Sequence, residues 1–166
     1  MSRIVMLTVL LLSLSSGTPA QTAADFSGTW KLDVSRSESP GFGGTVPRMQ
    51  SIRQTGSSLI VLTDYGERSE TLTYTAEGTE RPLVGQEKEA AGSLRWEGTS
   101  LVTVIVRTIN GRPVTSEQRR TLRADGREMM VVTMTKVEHG YNRPETLVAS
   151  GAASSATDIY VKTGTQ

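Results

Sequence analysis

The stretch that decides the fold is Asp25-Phe26-Ser27-Gly28-Thr29-Trp30-Lys31-Leu32-Asp33, with Val34 behind it. Phe26, Gly28, Trp30, Leu32 and Val34 fall on one alternating face; Ser27, Thr29, Lys31 and Asp33 fall on the other. A period of two, apolar on one side and polar on the other, is what a half-buried antiparallel strand requires. Residues 26–34 are therefore expected to form the first strand. Trp30 is large enough to plug one end of a small barrel, and Gly28 lets another backbone come close. A buried tryptophan stabilises mainly through area, so Trp30 reads first as core and second as a cavity wall.

Upstream, residues 1–20 read as a secretory leader. Arg3 supplies the positive start, residues 4–14 are apolar apart from Thr8 and Ser13, and residues 15–20 are small, with Thr18 and Ala20 placed for a signal peptidase. The apolar run is about half the roughly 20 residues that a membrane span needs. Cleavage after Ala20 is expected, with no membrane insertion afterwards; an uncleaved anchor is the competing reading. No cysteine follows the leader, which excludes a lipoprotein anchor. The expected location is periplasmic or extracellular, and residues 21–166 are expected to make one domain.

Composition narrows the chemistry. The chain has 18 Lys and Arg against 17 Asp and Glu, and Arg3 is the only charge in the leader. The domain is thus close to neutral, with no long-range attraction toward nucleic acid or an anionic membrane. With no cysteines, disulfides, thiol catalysis and most structural zinc sites are removed.

Downstream of the first strand, residues 35–48 are rich in Ser, Gly and Pro and read as a loop, with Phe42 in its middle. That aromatic either caps a cavity or pins the loop to the sheet. Turn signals then recur at Thr55-Gly56-Ser57, Asp64-Tyr65-Gly66, Glu77-Gly78, Glu97-Gly98, Asn110-Gly111 and Asp125-Gly126. Strands are expected between them at 49–54, 58–63, 69–75, 93–97, 100–109, 113–123 and 127–138. Residues 81–84 are a possible short strand that Pro82 confines to an edge or an end. Residues 86–91 read as a solvated charged run. In the tail, Gly140, Asn142 and Pro144 break the preceding strand, 151–156 reads as a mobile small-residue linker, and 157–162 reads as a last strand.

Strands joined in sequence by tight turns make an antiparallel meander. The expected class is all-β, an up-and-down barrel of about 8–10 strands in which the last strand pairs with the first. The same strands would also make an open sheet or sandwich. Closure is favoured because no long helical period exists to cover an open face.

The segment Phe26-Ser27-Gly28-Thr29-Trp30-Lys31-Leu32 resembles the Gly-x-Trp opening of lipocalins and of the related fatty-acid-binding proteins, the calycin barrels. Behind a leader and ahead of a meander, it is most similar to secreted lipocalin-like proteins of bacteria. The specific match covers about nine residues; beyond it the likeness is one of layout. The resemblance implies a barrel with an internal cavity that binds a small, often apolar, molecule. Fatty-acid-binding proteins follow their first strand with two helices, which the Gly and Pro of residues 35–48 do not allow. Their carboxylate-binding Arg-x-Tyr has no counterpart at Ile159-Tyr160-Val161, and the disulfides common in secreted lipocalins are absent.

The residues themselves give few catalytic groups. His139 is the one histidine, in a turn beside Gly140, with no aimed Asp or Ser. Gly41-Phe42-Gly43-Gly44 lacks the Lys-Ser/Thr ending of a phosphate loop. No catalytic residue, metal ligand or cofactor is expected, and the chain does not read as an enzyme. Arg119-Arg120 is more informative. Consecutive residues on a strand point to opposite sides, so one arginine must face inward. A buried charge needs a partner or a ligand anion, which makes Arg120 the candidate anchor; the alternative sets it in water at a barrel mouth. Arg53 and Arg107 are weaker candidates. The Met129, Met130 and Met134 cluster suits core or cavity wall.

Three functions remain in view. A small-molecule-binding barrel would have a cavity lined by Trp30, Tyr74, Trp96 and methionines, with Arg120 as anchor. A cell-envelope interaction module would have a filled interior and no ligand. An enzyme at the barrel mouth is disfavoured for want of a nucleophile–base pair.

Overall fold

The computed structural model describes residues 24–38, 47–75, 81–82, 90–109, 111–123, 125–137 and 153–164. Among them are ten strands: β1 (Gly28–Leu32), β2 (Met49–Thr55), β3 (Ser58–Asp64), β4 (Ser69–Thr75), β5 (Arg81–Pro82), β6 (Ala90–Glu97), β7 (Ser100–Ile109), β8 (Arg112–Leu122), β9 (Glu128–Val137) and β10 (Ala153–Gly164). A short 3-10 turn, Val34–Arg36, follows β1. Phe42, residues 86–89 and His139 lie outside the described residues.

Neighbours in sequence are neighbours in space. The sheet order is β4-β3-β2-β1-β10-β9-β8-β7-β6-β5, and the described pairs are antiparallel. β1 sits between β2 and β10, with Trp30 opposite Gln50 on one side and Lys162 on the other. First and last strands thus pair, as a closing meander requires. β5 ends the sheet, consistent with a proline that cannot donate to a ladder. β4 and β6 come into contact, yet among the described residues no backbone ladder joins them. The barrel is nearly closed, with one seam.

Gly28 has a φ of 133°, a region closed to ordinary L side chains, and stands just before the register shift at Thr29/Trp30. The glycine lets the strand turn Trp30 into the end of the barrel. Trp30 is fully buried there with Phe26, Ile52, Leu59, Leu94, Leu101 and Met129. Its Nε1–H donates to the Phe26 carbonyl at 2.9 Å, and the Lys162 ammonium lies 5.2 Å from its ring centre. Met129 belongs to this core, whereas Met134 faces outward. Gly98, Gly111 and Gly126 carry the positive φ expected of their hairpin turns.

Two expectations are corrected. The first strand is shorter than residues 26–34: Val34 is 75 % exposed and lies in the 3-10 turn. The Asp33 carboxylate ends the strand by accepting from the Ser35 amide and hydroxyl. The tail segment 151–156 is not simply a linker, because β10 begins at Ala153 and pairs residue by residue with β9, from Ala153 opposite Lys136 onward. Small residues of weak strand propensity are held there by the ladder itself.

Candidate functional site

The end of the barrel opposite Trp30 is hollow. A cavity of about 510 Å³ is lined by residues from β2, β3, β4, β7, β8, β9 and β10. Inward alternation along each strand supplies the wall. Gln118 stands opposite Thr133, and Ser116 opposite Thr135, with Ser154 next along the sheet. Val61, Leu72, Ile105 and Val131 give apolar patches among these polar groups.

Arg120 is set into this wall from β8 and is 1 % exposed. Arg119, its neighbour, faces the outside and pairs with Glu97. One guanidinium nitrogen of Arg120 donates to Thr103 Oγ1 at 2.8 Å, the other to Gln118 Oε1 at 2.5 Å. Its Nε–H has no partner among the described residues. Among the described residues no carboxylate pairs with it. Burial pushes its pKa down from the ordinary value, opposed by the hydroxyls of Tyr74 and Tyr160. Tyr74 is pushed up to about 12, chiefly by burial and against the pull of Arg120 and a hydrogen bond with Thr103. Tyr160 is pushed up as well, by burial first and then by the charge of Asp158.

Those two tyrosines make stability fall at high pH. A group whose pKa rises on folding contributes its full stability below its unfolded value, near 10 for tyrosine, and loses it as pH climbs through the folded value. Denaturant midpoints are therefore expected to hold to about pH 10 and to drop by about pH 12. Tyrosinate absorbance should show at least two phenols titrating late. A midpoint that stays flat across this range would remove the buried tyrosines from the account.

At the seam, the Arg107 guanidinium on β7 donates to Glu70 on β4 at 2.5 Å. Both line the cavity, and among the described residues the Arg107 Nε–H has no partner. Arg68 lies over the Tyr65 ring, 5.0 Å from its centre, and both also line the cavity.

No family model matches the chain, and no curated protein matches it in sequence. Solved structures do match in shape. A mutant form of the REP1-NXSQ fatty acid transporter aligns with a TM-score of 0.53 at 16% identity, over 85% of this chain and 100% of its own. Apo lipid binding protein 8 of Caenorhabditis elegans aligns with a TM-score of 0.56 at 12% identity, over 83% of this chain and 95% of its own. The chain shares their fold, a nearly closed antiparallel up-and-down β-barrel.

Within the barrel, the four candidate residues separate. Tyr74 and Arg120 line the large cavity. Trp30 and Trp96 do not: Trp30 fills the closed end, and Trp96 lines a smaller pocket of about 280 Å³ at that end with Asp25, Gln54 and Leu101. No methionine among the described residues lines the large cavity either. The reason is geometric, since the inward methionine, Met129, sits at the Trp30 end. Of the weaker candidates, Arg107 lines the cavity and Arg53 is exposed. Sequence reasoning missed Gln50, Thr63, Glu70, Asp158 and Tyr160. Period-two alternation would have found them, for Gln50 shares a face with Ile52, and Asp158 shares one with Tyr160.

Proposed function

We propose that this chain is a small-molecule-binding protein that takes a compact organic anion into its barrel, with Arg120 as the anchor and Tyr74 beside it. The observation that carries this reading is a guanidinium buried in a cavity wall, hydrogen-bonded among the described residues to neutral Thr103 and Gln118, with its Nε–H unused there. A buried charge is costly unless it meets an opposite one, and a ligand carboxylate is the group that would meet it. A cavity of about 510 Å³ is of the size that small-molecule sites have, and Val61, Leu72, Ile105 and Val131 offer contact to a carbon skeleton. The two structural neighbours, named as a fatty acid transporter and a lipid binding protein, support the same use of the barrel. An envelope module with a filled interior is the poorer reading, because the interior at this end is hollow. Hydroxyls, amides and guanidinium groups aimed at one space suit holding a molecule rather than transforming it.

The leader-like residues 1–20 support secretion, so the proposed place of action is the periplasm or the exterior. Native mass spectrometry of the secreted protein tests both parts. A chain beginning at Gln21 with a bound mass, lost on denaturation and identified as a carboxylate-bearing compound, is the expected result. A protein that carries no such mass and shows no saturable binding of dodecanoic acid would overturn the binding reading. An intact leader would overturn the location.

A further inference from the structure

We infer that the ligand is a hydroxylated organic acid, and that Gln50 reads its hydroxyl from the wall facing Arg120. This rests on the binding reading above and narrows it. Gln50 is 3 % exposed, lines the cavity from β2, and its Oε1 has no hydrogen-bond partner among the described residues. In the sheet order β2 and β8 are separated by β1, β10 and β9 on one side and by the remaining strands on the other. Gln50 and Arg120 thus stand on opposite walls of one space. Arg120 leaves a buried donor unused and Gln50 leaves a buried acceptor unused. A molecule that satisfies both must bring an acceptor anion to one wall and a donor to the other.

The donor is a hydroxyl rather than an ammonium. A neutral amide oxygen cannot compensate a buried positive charge, whereas it pairs fully with an O–H. The lining around each residue agrees. Ser116, Gln118, Thr133 and Thr135 are inward polar residues on β8 and β9 on the Arg120 side, and Thr63 on β3 stands opposite Gln50. A plain acyl chain would displace water from these groups and return no hydrogen bond. An oxygenated chain replaces what it displaces.

The test is calorimetric titration of the secreted protein, stripped of bound ligand on a hydrophobic resin, with dodecanoic acid and with its monohydroxy positional isomers. At least one isomer is expected to bind about tenfold or more tightly than dodecanoic acid, since a site with a buried polar group rejects the analogue that leaves it unpaired. In Gln50→Met that preference should shrink to within about twofold, with dodecanoic acid bound as well as before or better. Gln50→Leu serves as the second variant; both remove an unpaired acceptor and should fold. Equal affinity for dodecanoic acid and every isomer, or a preference that persists in both variants, would overturn this inference alone. Failure of all the acids to bind would overturn it together with the proposed function.

Discussion

Arg120→Met is expected to give a barrel that is more stable when empty and binds a carboxylate far less tightly. The two effects share one cause. The guanidinium sits in a wall with 1 % exposure, and its hydrogen bonds go to Thr103 and Gln118, neither of them charged. Replacing a buried ion pair by apolar side chains of similar volume is often neutral or stabilising, by about 1–4 kcal/mol, and a buried charge with no counter-ion has less attraction to lose. Part of that gain is offset here, because Thr103 and Gln118 lose a donor, so the lower half of the range is expected. Thr103 keeps its contact with Tyr74, and Gln118 faces the cavity. The melting temperature of the empty protein should rise by a few degrees. Binding moves the other way. A hydrogen bond to a charged group contributes about 1.5–3 kcal/mol, so affinity for a carboxylate should fall about 10- to 100-fold. Arg120→Lys should lie between, since an ammonium keeps the charge and loses the planar fork. Thermal melts and calorimetric titration of the same three proteins make the comparison. A destabilised Arg120→Met with unchanged affinity would make the arginine a structural strut.

Trp30→Ala should cost about 3–5 kcal/mol, a large share of the roughly 5–15 kcal/mol that holds a domain together. The indole fills the closed end of the barrel among Phe26, Ile52, Leu59 and Leu101, and its N–H ties down the Phe26 carbonyl. Its strand is also the one on which closure depends, being paired to β2 and β10. The loss would therefore spread into both ladders. Trp30→Phe is the gentler probe. It keeps most of the apolar volume but abandons the hydrogen bond, at a cost of about 1–3 kcal/mol. Because Trp30 does not line the large cavity, Trp30→Phe should bind ligand within about twofold of the parent. Urea titration reads the first effect and calorimetry the second. A Trp30→Phe variant of full stability and poor affinity would mean that the indole acts on the ligand after all.

What the sequence made legible followed the places where its pattern was simple. The Phe26, Gly28, Trp30 and Leu32 face obeys the rule of apolar in and polar out, and the structure buries all four. Arg120 was legible for the opposite reason, since two adjacent arginines on one strand cannot both point to water. Gln50, Thr63 and Asp158 escaped notice because a hollow barrel breaks that rule where it is hollow. Their inward faces carry polar side chains that, in a filled core, would belong outside. The tail was obscured by composition. Ala153, Ser154, Ser155 and Ala156 have no strand signal of their own, and only their pairing with β9, fixed from outside the segment, makes them a strand. Val34 followed the alternation, but the Asp33 side chain offered the backbone a turn, and the turn won.

The seam beside β4 sets how the wall can yield. Where an unbroken ladder runs round a barrel, its girth is fixed by registry, and no strand can part from the next without breaking a row of backbone bonds. Here the hoop is cut. Among the described residues, parting β4 from its neighbour separates the Glu70–Arg107 ion pair and side-chain packing, with no ladder to unzip. Dissolved salt, by screening this partly exposed pair, is expected to weaken the tie across the seam while leaving the ladders on either side untouched.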